Sequence, residues 1–313
     1  MSTPWVHVSE HGADAKAYIH KRRTGQIRSL LTPWPKLNKE LLNGVEWGSV
    51  IQLPGNSGSG KTLMKDQMVK GFFDLNRDQD FAALDFQFEM LGRTRIMRDV
   101  SRYTGKDLKT LSSAFSPISE EEEKEIFRFI DNDLGNDDIF VVDVPKNVPQ
   151  IEKALYDFYN TVKKPIVASI DHSMLVERAT EKDDFEVIRT LGKMLIRTKK
   201  QLPVIWIVLN QFNRTFEDAA RQVPNSLSAL PTKKDIYGGD SIYFASDAVI
   251  AISKPDMYLP IGSYYGPRNL GIQVTDNLMM WHVLKNRVGE PNMHLKMVAN
   301  FKHMRVEDPS STN

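Results

Sequence analysis

Eight consecutive residues, Gly55-Asn56-Ser57-Gly58-Ser59-Gly60-Lys61-Thr62, fit the pattern Gly-x4-Gly-Lys-Ser/Thr without departure. At ordinary amino-acid frequencies a chain of this length meets that pattern by chance about one time in a hundred. Its surroundings lower the odds further. The apolar run at 49–53 reads as a strand, and Leu63, Met64, Met68, Phe72 and Phe73 mark one side of a helix over about 61–74. A loop between such elements suits a phosphate. Glycines let backbone amides converge on the anion, and the helix N-terminus adds positive potential. Lys61 can then reach the β- and γ-phosphates, and the Thr62 hydroxyl can ligate Mg²⁺. Gly55 to Thr62 are therefore the expected nucleotide-binding residues, with ATP and Mg²⁺ as ligands. The alternative is a plain Gly/Ser turn.

Chemistry on a bound triphosphate needs more groups. A carboxylate beside the metal is expected at the end of an adjacent strand. Asp171 closes the run at 166–171 and is preferred; Asp143, closing the run at 139–143, competes. Glu89 follows the strand-like run at 81–88, where a carboxylate can orient water as a general base. A helix-opening acid is the plainer reading. Gln211 follows the apolar run at 204–210 and could sense the γ-phosphate, a role that spacing alone leaves open. Lys285 and Arg287 stand two apart at the end of an extended segment and so point the same way. They could reach a phosphate across a subunit interface, or simply be two surface cations at a hairpin.

The elements that would hold these groups alternate. Strands are expected at 49–53, 81–88, 139–144, 166–171, 204–210, 247–252, 278–285 and 295–305, and helices at 61–74, 91–103, 148–160 and 184–200. The acidic run at 120–125 opens a further helix, where acids suit the dipole. The run at 204–210 is apolar throughout, as in a strand buried on both faces. Such alternation predicts an α/β fold, a mostly parallel sheet flanked by helices, with antiparallel hairpins at the C-terminal edge where helices give out. Residues 1–12 read as a loose terminus and 13–30 as a basic helix with a weak apolar face. That helix either is solvated or docks on a neighbouring subunit. A short helix follows the proline-marked junction at 31–35 and ends at Gly44, and 253–277 read as a longer hairpin or loop.

The totals narrow the class. The 313 residues carry 41 Lys plus Arg against 40 Asp plus Glu, a net charge of +1, so any nucleic-acid contact must come from local loops. With no cysteine, disulfides, cysteine zinc sites and thiol nucleophiles are excluded. No apolar run approaches the ~20 residues of a membrane helix, and the first residues lack the order of a signal peptide. The expectation is a cytoplasmic protein without membrane contact, in a bacterium or in the host cytoplasm if phage-encoded.

The order of these motifs resembles the DnaB-like replicative helicases, specifically their RecA-like C-terminal motor. The similarity runs from about residue 16 to residue 306: AYIHKRRTGQI, LNKELLNGVEWGSVIQLPGNSGSGKT, ALDFQFEM with Glu89, IVASIDHSML with Asp171, PVIWIVLNQFNR with Gln211, DIYGGDSIYFASDAVIAI, and WHVLKNRVGEP with Lys285 and Arg287. The resemblance implies a homo-oligomeric ring, expected to be a hexamer, that hydrolyses ATP between subunits and moves 5′-to-3′ along single-stranded DNA. It implies catalytic roles for Lys61, Glu89 (the base), Gln211 (the sensor), Lys285 and Arg287 (both in trans), with Thr62 and Asp171 at the metal. It divides the chain into an N-terminal segment, 1–34, with a linker-type helix that packs on the next subunit, and a RecA-like ATPase/helicase domain, 35–313. Primase and a helicase loader are further partners it suggests.

Three departures are visible. Only about 30 residues precede the core, so the family's N-terminal primase-contacting domain is expected to be lacking, as in a compact phage or plasmid version. His172 stands where the family usually has tyrosine. The segment aligned with a DNA-contacting loop has Tyr237 and Gly238 in place of a charged pair; Gly238 and Gly239 can still offer amides to a DNA phosphate, and Lys233 and Lys234 add charge. A flexible loop without DNA contact is the alternative there. The competing functions are a RecA-like recombination or strand-annealing ATPase, and an ATP-dependent loader or accessory protein.

Overall fold

The computed structural model describes residues 5–115, 117–238 and 240–309. Its helices are α1 (Val8–Arg23), α2 (Pro35–Glu40), α3 (Lys61–Leu75), α4 (Gly92–Thr104), α5 (Leu108–Leu111), α6 (Glu120–Arg128), α7 (Val148–Val162), α8 (Asp184–Gln201) and α9 (Asp240–Ala245). Its strands are β1 (Val50–Gly55), β2 (Ala82–Gln87), β3 (Ile139–Val142), β4 (Ile166–Asp171), β5 (Val204–Gln211), β6 (Ala248–Ser253), β7 (Leu278–Asn286), β8 (Met293–Asn300) and β9 (Arg305–Glu307).

These strands form one sheet in the order β3-β2-β4-β5-β1-β6-β7-β8-β9. The six from β3 to β6 run parallel, and β7, β8 and β9 extend the far edge antiparallel. The mixed α/β sheet is the expected one.

Side-chain alternation along the central strands feeds two cores. Ile51, Leu53, Ile205, Ile207, Ile250 and Ile252 face Met64, Met68 and Phe72 of α3. Val50, Ala168, Ile170, Trp206 and Val208 face Ile188, Leu191 and Leu195 of α8. Apolar residues on both faces of β5 thus meet helices on both sides, as its unbroken apolar run requires. The layers fix β1 at the centre of the sheet, and with it the loop that follows.

Three elements differ from expectation. The short helix expected to end at Gly44 stops at Glu40, and residues 41–43 form a turn. The first helix covers 8–23, not 13–30. His7 caps it, its ring accepting from the Ser9 amide, and the chain turns at Gly25, whose φ of 71° suits glycine. None of its residues is buried. The stretch 295–305 is not one strand. Phe301 to Met304 form a turn between β8 and β9, with Met304 at φ 48°. The segment 253–277 is irregular, with short 3₁₀ turns and its own small core of Leu259, Tyr265, Ile272 and Val274, packed on Leu230, Leu278 and Met280.

Candidate active site

The parallel strands end together at one edge of the sheet, and Gly55 closes β1 there, in register with Gln211 at the end of β5. The chain then turns through Asn56–Gly60 into α3. Gly58 and Gly60 have φ of 76° and 94°, which an L side chain rarely adopts. Gly60 is also hemmed in: an added Cβ would stand 2.5 Å from the Met279 methyl and 3.3 Å from the Phe301 ring. The free amides at the start of α3 face the same cleft as Ser57, Lys61, Thr62, Glu89, Arg98, Gln211, Phe301 and Met304. Lys61 is buried and its ammonium donates to the carbonyls of Gly55 at 2.9 Å and Asn56 at 2.7 Å. Burial, only partly opposed by Asp171 and Glu89, lowers its pKa to about 8. An ammonium held this way is primed for an anion that restores its charge balance.

Asp171 ends β4 beside Thr62 and is buried. Burial pushes its pKa up to about 6, against the pull of Lys65. One carboxylate oxygen, Oδ1, has no hydrogen-bond partner; the other lies 3.4 Å from the Gln87 amide nitrogen and 3.7 Å from Lys65 Nζ. A buried carboxylate oxygen without a partner, next to a hydroxyl, fits a hard divalent cation that takes oxygen ligands and keeps most of its water. Asp143 lies beyond the end of β3, the outermost strand, four places from β1, so it is the poorer candidate.

Glu89 lies just past β2 with its side chain about half exposed. His172 stands between it and Gln211: its Nε2 is 4.0 Å from Glu89 Oε2 and 3.4 Å from the Gln211 amide nitrogen. Burial, opposed by Glu89, holds the imidazole below its usual range.

Beneath the cleft lies a buried ion cluster. Lys65 Nζ contacts Asp66 at 2.8 Å, both oxygens of Asp85 at 2.8 and 3.0 Å, and Gln87 Oε1 at 2.6 Å. Burial works against this ammonium, but the three carboxylates of Asp66, Asp85 and Asp171 outweigh it and keep it charged. Arg95 of α4 joins through Asp85 at 3.2 Å. The cluster ties α3, β2, β4 and α4 together, the elements that flank Asp171 and Glu89.

Lys285 and Arg287 stand elsewhere. Because β7 runs antiparallel, its end lies at the start of β6, where Lys285 is paired with Val249, while Gly55 is paired with Ile252. Lys285 donates to the carbonyls of Tyr243 at 2.7 Å and Phe244 at 3.3 Å. Arg287 donates to Phe244 O at 3.0 Å and Asp247 at 3.1 Å. Both cations therefore point toward the end of α9, on the sheet edge opposite their own phosphate loop.

The candidate DNA residues lie on the segment between β5 and α9, at the phosphate-loop edge. Tyr237 donates its amide to Gln211 O at 2.8 Å and stacks on Phe185 with 5.4 Å between rings. Lys233 pairs with Asp240 at 2.7 Å and sits over the Phe244 ring at 4.5 Å, and Lys234 is exposed. Gly238 has φ of 78° and packs on Ile188, and Gly239 lies outside the described residues.

The sequence matches the family described as DnaB-like helicase C terminal domain over residues 29–307. This chain belongs to that family. No curated protein matches it in sequence. Among solved structures, this DnaB-like chain is similar to one described as an ATPase domain, with TM-score 0.78, 16% identity and coverage of 94% of this chain and 97% of that one. It is also similar to a DnaB-like replicative helicase described with its interactions with primase, with TM-score 0.71, 17% identity and coverage of 90% and 63%. A KaiC-like protein, PH0186 from Pyrococcus horikoshii, aligns with TM-score 0.53, 17% identity and coverage of 90% and 98%. Identities this low establish a shared fold. Among the described residues of the DnaB-like chain, no helix is long and apolar enough to cross a membrane.

Three groups at the site of this DnaB-like chain escape the sequence reading. His172 is visible in sequence as a departure from the family's tyrosine, but its place between Glu89 and Gln211 is not. Phe301 and Met304 fall in what reads as a continuous strand. Arg98, whose Nε is buried without a hydrogen-bond partner, looks like any helix-surface cation.

Proposed function

We propose that this chain is the motor of a ring-shaped DNA helicase that hydrolyses Mg-ATP between subunits and moves along single-stranded DNA, 5′-to-3′ by its resemblance to the family. In this reading residues 1–34 form the linker-bearing segment and 35–313 the ATPase domain. The amides of Gly55–Thr62 and the ammonium of Lys61 bind the triphosphate. Thr62 and the free Oδ1 of Asp171 would hold Mg²⁺, which neutralises phosphate charge. A Glu89 carboxylate oxygen takes the proton of the attacking water, and Gln211, beside Gly55, reads the γ-phosphate. Phe301, under the Lys254 ammonium at 5.5 Å, offers an aromatic face to the base.

The observation that carries the intersubunit part is the placement of Arg287. Arg287 lies one residue past β7, beside Asp247 and five residues before Ile252, so it stands roughly 16 Å along the strand direction from Gly55. A cation there serves another copy's nucleotide better than its own. Lys233, Lys234, Tyr237, Gly238 and Gly239 are the proposed DNA contacts, with primase and a loader as further partners.

The test combines assembly and unwinding. With ATP and Mg²⁺ the purified chain should form closed rings, and it should unwind a forked duplex bearing a 5′ tail. Open polymers without unwinding would instead favour a recombination-type ATPase. Lys61→Ala should lose nucleotide binding or turnover, and a variant with normal ATPase activity removes the central assignment.

A further inference from the structure

The phosphate loop is gripped from outside by two segments that the ATPase reading leaves without a role. Asn56, at the crest of the loop, is buried, and its side-chain amide donates to Glu217 Oε1 at 2.6 Å. Glu217 ends the 3₁₀ turn Arg214–Glu217, six residues past Gln211. Tyr258, in the irregular segment between β6 and β7, lines the same small cavity as Asn56 and Phe216, its buried hydroxyl near Glu217 but without a hydrogen-bond partner. One residue earlier, the Met257 methyl closes on Gly58.

The Glu217 turn is in turn bound to the candidate DNA segment. Phe216 is buried and meets the Tyr258 ring edge-on at 6.4 Å. The Arg221 guanidinium covers Phe216 at 5.3 Å and pairs with both oxygens of Asp235, at 2.6 and 3.0 Å. Asp235 accepts from Thr232 N at 2.6 Å and from the Thr232 hydroxyl at 2.8 Å. Its own carbonyl accepts from Asn213 N at 2.6 Å, next to the bridge between Phe212 and Ile236. Asp235 directly follows Lys233 and Lys234. A contiguous set of buried or paired groups therefore runs from Asn56 to the lysines, and packed sets of this kind can carry coupling.

We propose that Glu217 and Tyr258 are positioning residues that clamp the phosphate loop through Asn56, so that single-stranded DNA on the segment between β5 and α9 changes nucleotide affinity at Gly55–Thr62. This rests on the nucleotide and DNA reading above and adds its regulation. The irregular segment between β6 and β7 thereby acquires a role, since it supplies the second jaw, Tyr258. Coupling of two binding sites is reciprocal, so nucleotide must change DNA affinity by the same factor.

Two measurements test it on the full chain. The first is the affinity for a labelled oligo-dT strand with and without a non-hydrolysable ATP analogue. Wild type should show a linkage of about fivefold or more. Glu217→Ala should bring it below about twofold, whereas Glu217→Gln, which keeps the acceptor, should retain most of it. The second is a cycle of Asn56→Ala, Glu217→Ala and both together, read as affinity for a fluorescent ATP analogue. The double variant should be no weaker than Asn56→Ala alone, because one contact is being removed twice.

Wild-type linkage in a folded Glu217→Ala chain, or additive losses in the cycle, overturns the clamp. A wild type that binds nucleotide but shows no linkage to DNA overturns the coupling and leaves the nucleotide site standing. A wild type that takes up no nucleotide overturns the reading beneath it, and the clamp with it.

Discussion

The amide nitrogen of Gln211 lies 3.4 Å from Nε2 of His172, and the same ring nitrogen is 4.0 Å from the Glu89 carboxylate. One imidazole thus stands between the group proposed to read the γ-phosphate and the group proposed to activate water.

That placement predicts a kinetic signature. His172→Ala removes a shared neighbour of two side chains without touching the phosphate loop. Misplacing a catalytic group by about an ångström can cost up to a hundredfold, so turnover should fall by about ten- to a hundredfold. Nucleotide affinity, read with a fluorescent analogue, should stay within about twofold. Equal losses in affinity and turnover would move His172 from positioning to binding.

Asp171 predicts a stability profile. Burial raises its pKa to about 6, above the value of a carboxyl in the unfolded chain. Between about pH 4 and pH 6 the folded chain therefore holds the extra proton, and stability falls as pH rises through that window. Lys65 remains neutralised by Asp66 and Asp85 when the Asp171 charge is removed. Asp171→Asn should thus melt above wild type at pH 7 without divalent cation, by on the order of 2–3 kcal/mol, with the gain gone near pH 4. Adding Mg²⁺ with an ATP analogue should stabilise wild type more than the variant, as thermal melts will show.

Much of this arrangement is legible in the sequence, and the limits have physical causes. The mostly apolar runs of β1, β4 and β5 announce strands because burial on both faces leaves little room for polar residues, with Gln52, Ser169, Asp171 and Asn210 the buried exceptions. Gly58 and Gly60 announce the loop because their backbone angles exclude side chains. The turn at Phe301–Met304 is hidden, since it carries neither glycine nor proline and its flanking strands continue the apolar alternation. Lys65 and Arg95 are hidden for a different reason. Nothing in their spacing reveals that both are buried in one ion cluster, which only the meeting of α3, β2 and α4 creates. The depth of Lys285 and Arg287 on the opposite sheet edge likewise follows from the antiparallel turn of β7, not from their spacing.

Lys285 predicts an alkaline limit. Burial, with Arg287 adding repulsion, lowers its pKa to about 8. Its charge is then lost as pH rises through 8. For stability the sign is the reverse: between about pH 8 and pH 10 the unfolded chain binds more protons, so folding gains as pH rises. ATPase activity should therefore decline above about pH 8 while the chain stays folded. Lys285→Arg should carry the falling limb to higher pH, because a guanidinium keeps its charge there. A pH profile of turnover with parallel melting curves separates the two effects. Because Lys61 also titrates near 8, the profile is measured with saturating nucleotide, where the bound phosphates keep Lys61 charged. A limb left unshifted there would sever Lys285 from the reaction.

Arg287 gives the sharpest test of action between copies. It is held by Asp247 and the Phe244 carbonyl at the sheet edge away from its own phosphate loop. Alone, Arg287→Ala should lose ATPase activity by about a thousandfold, the scale of an arginine that stabilises a phosphoryl-transfer transition state. Alone, Glu89→Gln should bind ATP and hydrolyse it poorly. In a mixed assembly some interfaces pair the intact Glu89 of one copy with the intact Arg287 of the other, and those interfaces should hydrolyse ATP. Activity plotted against mixing ratio should rise from both ends to a maximum between them. Turnover that stays at the level of the single variants at every ratio, in particles shown to exchange subunits, would place Arg287 outside the reaction or within its own copy's site.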